Sequence, residues 1–579
     1  MMTALTRKST RALPQAGPSF VELYTPKLVT VLREGYGAAA LRADAIAGLT
    51  VAIVALPLSM AIAIASGLSP DRGLFAAIVG GFLVSLLGGS RFQVGGPAGA
   101  FIVLVATTVA LHGAEGLLLA TLMSGVFLLA IGYLRIGAYI KFIPYPVTVG
   151  FTAGIAVIIF ASQVKELFGM TLAGKEPGEF IPKLVALWDS IGTVSPAATG
   201  IAALTVALIV GLKRFRPGWP GMLVAIGVAA VLAYLFALPV ETIATRFGGI
   251  PRTLPMPALP EISIDKVVTM LPSAIAFTLL GAIESLLSAV VADGMTGRRH
   301  RSNCELVAQG FANVGAAFFG GMPVTGTIAR TATNIRAGAH GPVAGMLHAA
   351  FLLVFMLVAA PLAGYIPLPA LAGVLAVVAW NMIEKDAFRA LIRSSRGDAL
   401  VLLVTFGLVI FRDLTEGIVV GFLLGSILFI DRMAKAIAVE ADVPFVTEDV
   451  ADSTDGGRAS YNALDSNDPD IVIYRISGAF FFGAASTVGA VLDRIADRHK
   501  AFILDCTAVP FLDSTAANVL EMATRKAERS GVRVYITGAA PQVRRMLFTH
   551  GVRPPHVRYK ATIEAAVRQA RRESLAEAA

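Results

Sequence analysis

Charge is scarce in this chain. Only 15% of its 579 residues are Asp, Glu, Lys or Arg, while 56% are hydrophobic and the mean hydropathy is +0.73. That balance excludes an ordinary soluble globular protein. Cysteine is scarcer still. Cys304 and Cys506 lie far apart without metal-ligand spacing, so neither a disulfide nor a metal site is expected. There is no P-loop, no HExxH pair and no G-x-S-x-G elbow. Nothing therefore suggests ATP hydrolysis or acyl chemistry, and no enzyme activity or cofactor is expected. The first ~40 residues hold Arg7, Lys8 and Arg11 but no apolar core, which excludes a cleavable signal peptide.

What the chain has is long apolar runs. They fall near 45–66, 72–89, 96–110, 116–134, 147–168, 197–212, 219–237, 267–292, 305–319, 326–337, 342–363, 368–383, 398–412 and 415–431. These are fourteen candidate membrane helices, where a full crossing needs roughly 20 apolar residues. The third and tenth runs are too short to cross. Glycine, at 57 residues, suits close helix packing in a bilayer.

The net charge of +9 follows the loops rather than suggesting nucleic acid. With the N-terminus inside, the inner loops hold Arg91, Arg135, Lys141, Lys213, Arg214, Arg216, Arg298, Arg299, Arg301, Lys385, Arg389, Arg393 and Arg396. The outer loops are mixed with Glu115, Glu166, Glu176, Glu179 and Glu241. This is the positive-inside pattern, with both termini cytoplasmic.

Residues 1–42 read as a cytoplasmic N-terminal segment with an amphipathic helix near Phe20–Arg33. Residues 43–437 read as one transmembrane domain. Residues 438–469 are polar and acidic and read as a linker. Residues 470–579 alternate strand and helix, as a small cytoplasmic α/β domain does. Its predicted strands are 471–476, 501–506 and 532–537. Its predicted helices are 484–497, 514–530, 541–549 and 561–572.

Each short run follows a cluster of helix breakers: Gly95-Gly96-Pro97-Ala98-Gly99-Ala100 before the third, and Gly320-Gly321-Met322-Pro323-Val324-Thr325-Gly326-Thr327 before the tenth. They stand seven helices apart, and an odd period reverses membrane direction, as in inverted-repeat transporters. Non-helical backbone at membrane depth is tolerated only where it is buried or lines a polar cavity. Helix N-termini offer free N–H donors and a partial positive charge, so two converging ends would hold an anion. Pro97 is expected in the first turn of the third helix, and Thr325-Gly326-Thr327 at the start of the tenth.

Arg330, in the first turn of the tenth helix, adds a charge suited to an oxyanion; its alternative is a structural pairing. Glu284 sits mid-way along the eighth helix among leucines. It reads as a proton carrier, or as the standing partner of Arg330. Ser59, Ser285, Ser288, Thr325 and Thr327 offer hydroxyls, and Pro57 is expected to kink or interrupt the first helix. In the tail, Asp513 or Ser514 is a natural N-cap. Phosphate on Ser514 or Thr515 at that helix start would make the loop regulatory.

Taken together, Leu56-Pro57, Gly88-Gly89-Ser90-Arg91, Gly95-Gly96-Pro97, Gly281-Ala282-Ile283-Glu284-Ser285, Asp293-Gly294-Met295, Gly320–Arg330 and Ala337-Gly338-Ala339 resemble the SulP family of anion transporters. The tail resembles a STAS domain. The resemblance implies a polytopic all-α membrane protein of 14 helices in a 7+7 inverted repeat, with core and gate domains, plus a C-terminal α/β STAS domain. It implies a homodimer of the cell inner membrane that moves small anions by an elevator-like motion. It places Leu58, Ser59, Ile62, Ala98, Gly99, Thr327, Ile328 and Arg330 around the anion, with Glu284 as the proton-coupling group.

Glutamate at 284 with Arg330 resembles the proton-linked members. The wording Ile328-Ala329-Arg330-Thr331 and Ala379-Trp380-Asn381-Met382 is similar to the C4-dicarboxylate branch. Leu58 departs from the glutamine of many relatives, and the tail lacks a glycine after Asp513-Ser514-Thr515-Ala516. The expected function is secondary active, proton-coupled transport of a sulfate-type oxyanion. The alternatives are succinate or fumarate, bicarbonate, a passive anion channel, or a membrane-tethered regulator with a protein partner for the STAS domain.

Overall fold

The computed structural model describes residues 19–137, 144–174, 176–216, 219–412, 414–435, 438–441, 470–480 and 500–578. They form two compact units, Met1–Phe422 and Leu423–Ala579.

The first unit opens with two short helices, α1 (Phe20–Tyr24) and α2 (Lys27–Arg33), where one amphipathic helix is expected. Then come α3 (Ala38–Ala65), α4 (Pro70–Leu87), strand β1 (Gly95–Gly96) and α5 (Gly99–Tyr133). The chain continues through α6 (Tyr145–Phe168), α7 (Phe180–Asp189), α8 (Pro196–Phe215), α9 (Gly221–Leu235), α10 (Ile243–Phe247), α11 (Ile264–Thr296) and α12 (Ser302–Phe318). Strand β2 (Thr325–Gly326) precedes α13 (Ile328–Arg336), α14 (Val343–Ala363), α15 (Leu368–Met382), α16 (Lys385–Ser394), α17 (Arg396–Phe411) and α18 (Leu414–Lys435).

Every expected apolar run is helical. Among the described residues, nine helices are long and apolar enough to cross a membrane. One of them, α5, contains both the third and fourth predicted runs, bent at Gly113, whose φ of 69° breaks the helical path. The breaker cluster before it accounts for the third run's short reach. Helix α3 continues through Pro57 without interruption.

The helices pack in two groups. In the first, α12 and α11 lie along α5, α14 lies along α3, and α12 lies along α4. In the second, α15 and α17 lie along α6, and α8 lies between α9 and α15. The groups meet in part where α15 packs on α3. Helices α1 and α2 belong to the first group. The Tyr24 hydroxyl donates to Gly132 O at 2.8 Å, the Lys27 N–H donates to Gly88 O at 2.9 Å, and Val31 is wholly buried. Arg91 pairs with Glu34, holding that exposed carboxyl below its usual range, chiefly by direct hydrogen bonding. Buried Asp44 accepts the Gly341 N–H at 3.0 Å and the Tyr36 hydroxyl at 2.7 Å.

The second unit is an α/β sandwich. Its sheet runs β3 (Ala438–Ala441), β4 (Ile471–Ser477), β5 (Ala501–Asp505), β6 (Arg533–Thr537) and β7 (Arg558–Lys560) in that order. Strands β4 to β7 are parallel, with Ile503 opposite Ile473 and Tyr535, as continuous apolar strands covered by helices should be. The covering helices include α19 (Ser514–Arg529), α20 (Pro541–Thr549) and α21 (Ile563–Ala578). One expectation is corrected. The stretch 438–469 is not linker throughout, because β3 pairs antiparallel with β4, Val439 opposite Ile476. The remainder of that stretch and the helix expected at 484–497 lie outside the described residues.

Candidate functional site

The two breaker clusters meet. Strands β1 and β2 pair antiparallel, Gly95 with Gly326 and Gly96 with Thr325. The ladder is two residues long, yet it satisfies backbone groups that would otherwise be stranded at membrane depth. Three further bonds sew the same loops together. The Thr327 N–H donates to Val94 O at 3.1 Å, the Val94 N–H donates to Thr331 Oγ1 at 3.2 Å, and the Asn334 amide donates to Phe92 O at 2.9 Å. Antiparallel pairing is what two segments entering from opposite membrane faces produce.

Both helical starts fall a little later than expected. The first helical residue after β1 is Gly99, two residues past Pro97, so Pro97 precedes the helix rather than sitting in its first turn. Thr325 and Gly326 are strand residues, and α13 begins at Ile328 with Thr327 as its N-cap. The two N-termini nevertheless open beside one ladder.

Arg330 is buried between them, 1% exposed. Its Nη1 donates to Gly95 O at 3.4 Å, and its Nη2 donates to Pro97 O at 3.2 Å and Ser59 Oγ at 3.0 Å. Among the described residues its Nε has no partner. Gly96 makes room for this: a Cβ there would lie 1.6 Å from Nη1. Gly326 does the same for Gln93, whose Nε2 would lie 1.7 Å from an added Cβ.

The expected pairing of Arg330 with Glu284 is absent. Among the described residues Glu284 has neither an ion pair nor a hydrogen bond, and it is only half-buried on α11. The partners of Arg330 are carbonyls and a hydroxyl instead. Helix α11 is still tied to the ladder on either side of Glu284. The Thr325 hydroxyl donates to Gly281 O at 3.0 Å, the Gln93 amide donates to Ser285 Oγ at 2.8 Å, and the Ser288 hydroxyl donates to Thr331 Oγ1 at 3.1 Å.

Of the other expected site residues, Ser59 joins Arg330 directly and Leu58 and Ile62 are buried nearby along α3. Ala98 and Thr327 are the buried N-caps, and Ile328 is partly exposed in the first turn of α13. Gly99 is met from the second group of helices: its Cβ would touch Ile159 Cδ1 at 3.3 Å and Met382 Sδ at 3.7 Å. Beyond Ala61 on α3, a cavity of about 510 Å³ is lined by Ile102, Ile158 and Leu371, with Lys183 paired to Glu176 at 3.0 Å and Arg246 to Glu166 at 2.6 Å.

Four polar residues were missed. Glu305 on α12 is wholly buried, accepting the Ser90 N–H and the Gln93 amide, each at 2.9 Å. It anchors the loop that leads into β1. Its place at the edge of a predicted run hid it. Gln93 bridges that carboxylate and Ser285, and a lone amide in a loop gives no sequence signal. Asn313 donates to Val324 O at 2.8 Å and accepts the Val324 N–H at 2.9 Å, standing in for a strand beside β2. His348 on α14 is wholly buried, with both ring nitrogens unpartnered among the described residues.

In the second unit Asp513 caps α19, accepting the Ala516 N–H at 2.8 Å, and Ser514 and Thr515 are exposed in its first turn. Asp505 is buried beside Arg475. Burial would raise its pKa, but Thr507 and Arg475 donate to the carboxyl and hold it below the usual range.

An interrupted-helix bundle with an arginine at the break, in a chain that also carries an α/β sandwich, fits the class of integral membrane anion transporters. Residues 41–405 match the sulfate permease family and residues 465–566 match the STAS domain. The chain is 37% identical over 522 residues to the putative sulfate transporter YvdB of Bacillus subtilis, covering 90% of this chain and 95% of that one. It is 31% identical over 520 residues to the bicarbonate transporter BicA of Picosynechococcus, covering 88% and 90%. Its fold is that of murine Slc26a9, with a TM-score of 0.81 at 18% identity over 98% of this chain and 97% of that one. This chain belongs to the sulfate permease (SulP) family and is a multi-pass membrane transport protein carrying a STAS domain.

Proposed function

We propose that this protein carries a sulfate-type oxyanion across the cell inner membrane together with a proton, both termini being cytoplasmic. The observation that carries the reading is the position of Arg330, buried between two helix N-termini with Nε unpartnered. Its bound donors fix the guanidinium; the spare one, with the N–H groups of the first turns, faces an anion. Leu58, Ser59, Ile62, Ala98, Gly99, Thr327 and Ile328 would form the surroundings. Glu284 has no cation beside it, so a proton is the natural neutraliser when the anion binds.

The arrangement also supports an elevator-like motion. The polar anchors of the site, on α3, α11, α12, α13 and the loop before β1, belong to one helix group. The second group presents the apolar Ile159 and Met382 to Gly99, a surface across which the first can slide. The relatives named as sulfate and bicarbonate transporters support a small inorganic anion. The Ile328–Thr331 wording supports succinate or fumarate as a second reading. A homodimer, and control through phosphate on Ser514 or Thr515 or through a protein partner of the STAS domain, complete the proposal.

The test is uptake by purified protein in liposomes. Saturable sulfate uptake should rise with an inward proton gradient and be competed by its preferred anion. Large unitary currents without counterflow would point to a channel and overturn the reading. A signalling output lost on removal of the STAS domain, with transport unchanged, would favour the regulator.

A further inference from the structure

A second cavity, lined by other residues, forms a groove between α6, α8 and α15. It holds about 830 Å³, a volume in the range of sites for sizeable apolar ligands. Its walls are Phe160, Phe168, Ala203, Val206, Val210 and Val377. It follows α8 from Thr199 to Lys213, which at the helical rise per residue is about 21 Å. That is the length of one leaflet's hydrocarbon and more, so the groove suits an extended acyl chain rather than a compact molecule.

Only one end of the groove carries a charge. There Lys213 and Asn381 close it beside Trp380. Lys213 is exposed in the last turn of α8 and has no ion pair or hydrogen bond among the described residues. Lys385, which begins α16, places its Nζ 3.5 Å over the Trp380 ring. Trp380 is 62% exposed and Lys385 is partly exposed, the pairing of residue types that sits at a membrane interface. Glu384 accepts the Tyr145 hydroxyl and Asp386 lies near Arg389, and among the described residues neither carboxylate is ion-paired with Lys213.

We propose that this groove is a binding site for an anionic phospholipid, with an acyl chain along α8 and the phosphate between Lys213 and Lys385. The apolar walls alone would accept any lipid; the two cations at one end make the choice. The site lies on the second helix group, shares no lining residue with the site around Arg330, and does not depend on which anion is carried.

The chain has three tryptophans, Trp188, Trp219 and Trp380. Replacing Trp188 and Trp219 by Phe in the full-length protein leaves Trp380 as reporter. In phosphatidylcholine vesicles doped with brominated lipid, brominated phosphatidylglycerol should quench Trp380 at about tenfold lower mole fraction than brominated phosphatidylcholine, from two nearby cations. K213Q/K385Q should make the two curves coincide, and K213R/K385R should keep them apart. The unmodified chain gives a second reading: native mass spectrometry should show retained phosphatidylglycerol that K213Q/K385Q loses. Equal curves for the parent, or a preference surviving K213Q/K385Q, would overturn the proposal. So would absence of quenching by either lipid, the result expected if a second copy of the chain covers the groove.

Discussion

Replacing Gly96 by Ala adds one methyl group and should disable the proposed anion site. The added Cβ would fall 1.6 Å from Arg330 Nη1, far inside van der Waals contact. The surrounding backbone is pinned, since Gly96 pairs with Thr325 in the ladder. The guanidinium must therefore move, and the bonds to Gly95 O, Pro97 O and Ser59 Oγ are at stake. A hydrogen bond to a charged group contributes about 1.5–3 kcal/mol net. Losing the equivalent of one should weaken anion binding by about ten- to a hundredfold. The assay is initial sulfate uptake into proteoliposomes across a concentration series, with protein monodispersity checked in detergent. KM should rise by that factor. Arg330→Ala alone should raise it at least as much, and adding Gly96→Ala to Arg330→Ala should have little further effect, because the two act through one group. An unchanged KM in Gly96→Ala would refute the reasoning, as would two effects that simply add.

Three other outcomes follow from neighbouring geometry. Glu284→Gln should retain sulfate binding but lose stimulation by an inward proton gradient; full retention of that stimulation would remove Glu284 from the coupling role. Asn313→Leu leaves both backbone groups of Val324 without partners in the core, at about 1–3 kcal/mol each, and should lower the melting temperature measured by scanning fluorimetry of the purified protein. In the STAS domain the Asp505 carboxyl is held below its usual range. Its contribution is therefore present at neutral pH and lost as pH falls through the folded-state value. Asp505→Asn should destabilise that unit by about 2–4 kcal/mol at pH 7, with the difference from the parent shrinking in acid, as read by chemical denaturation.

Much of the architecture was legible because membrane helices and breakers announce themselves. Long apolar runs placed the helices to within a few residues, and glycine with proline marked both interruptions. What joined the interruptions was not legible. A two-residue ladder between positions 95 and 326 has no periodicity to detect. The partner of Arg330 was sought among carboxylates, the charged residues a sequence displays. A guanidinium with five donors is served equally by carbonyl oxygens, and every residue has one of those. Glu305 escaped for the opposite reason: it is a buried carboxylate satisfied by neutral donors, so no cation elsewhere in the chain pointed to it. Strand β3 was read as linker because acidic residues surround it, whereas sheet pairing at an edge tolerates them.

The ladder also bears on how the protein is made. Gly95 and Gly96 enter the membrane long before Thr325 and Gly326 are synthesised, and until then their backbone groups lack the partners they end with. The first seven helices can insert, but the interrupted segment among them cannot close until the second half arrives. Completion of the ladder, and of the anion site proposed beside it, is thus a late, long-range event in biogenesis, of the kind whose loop-closure cost slows folding. A chain halted before residue 325 should present the membrane quality-control machinery with an open polar backbone, and fragments supplied as two separate halves should recover the site only when they meet.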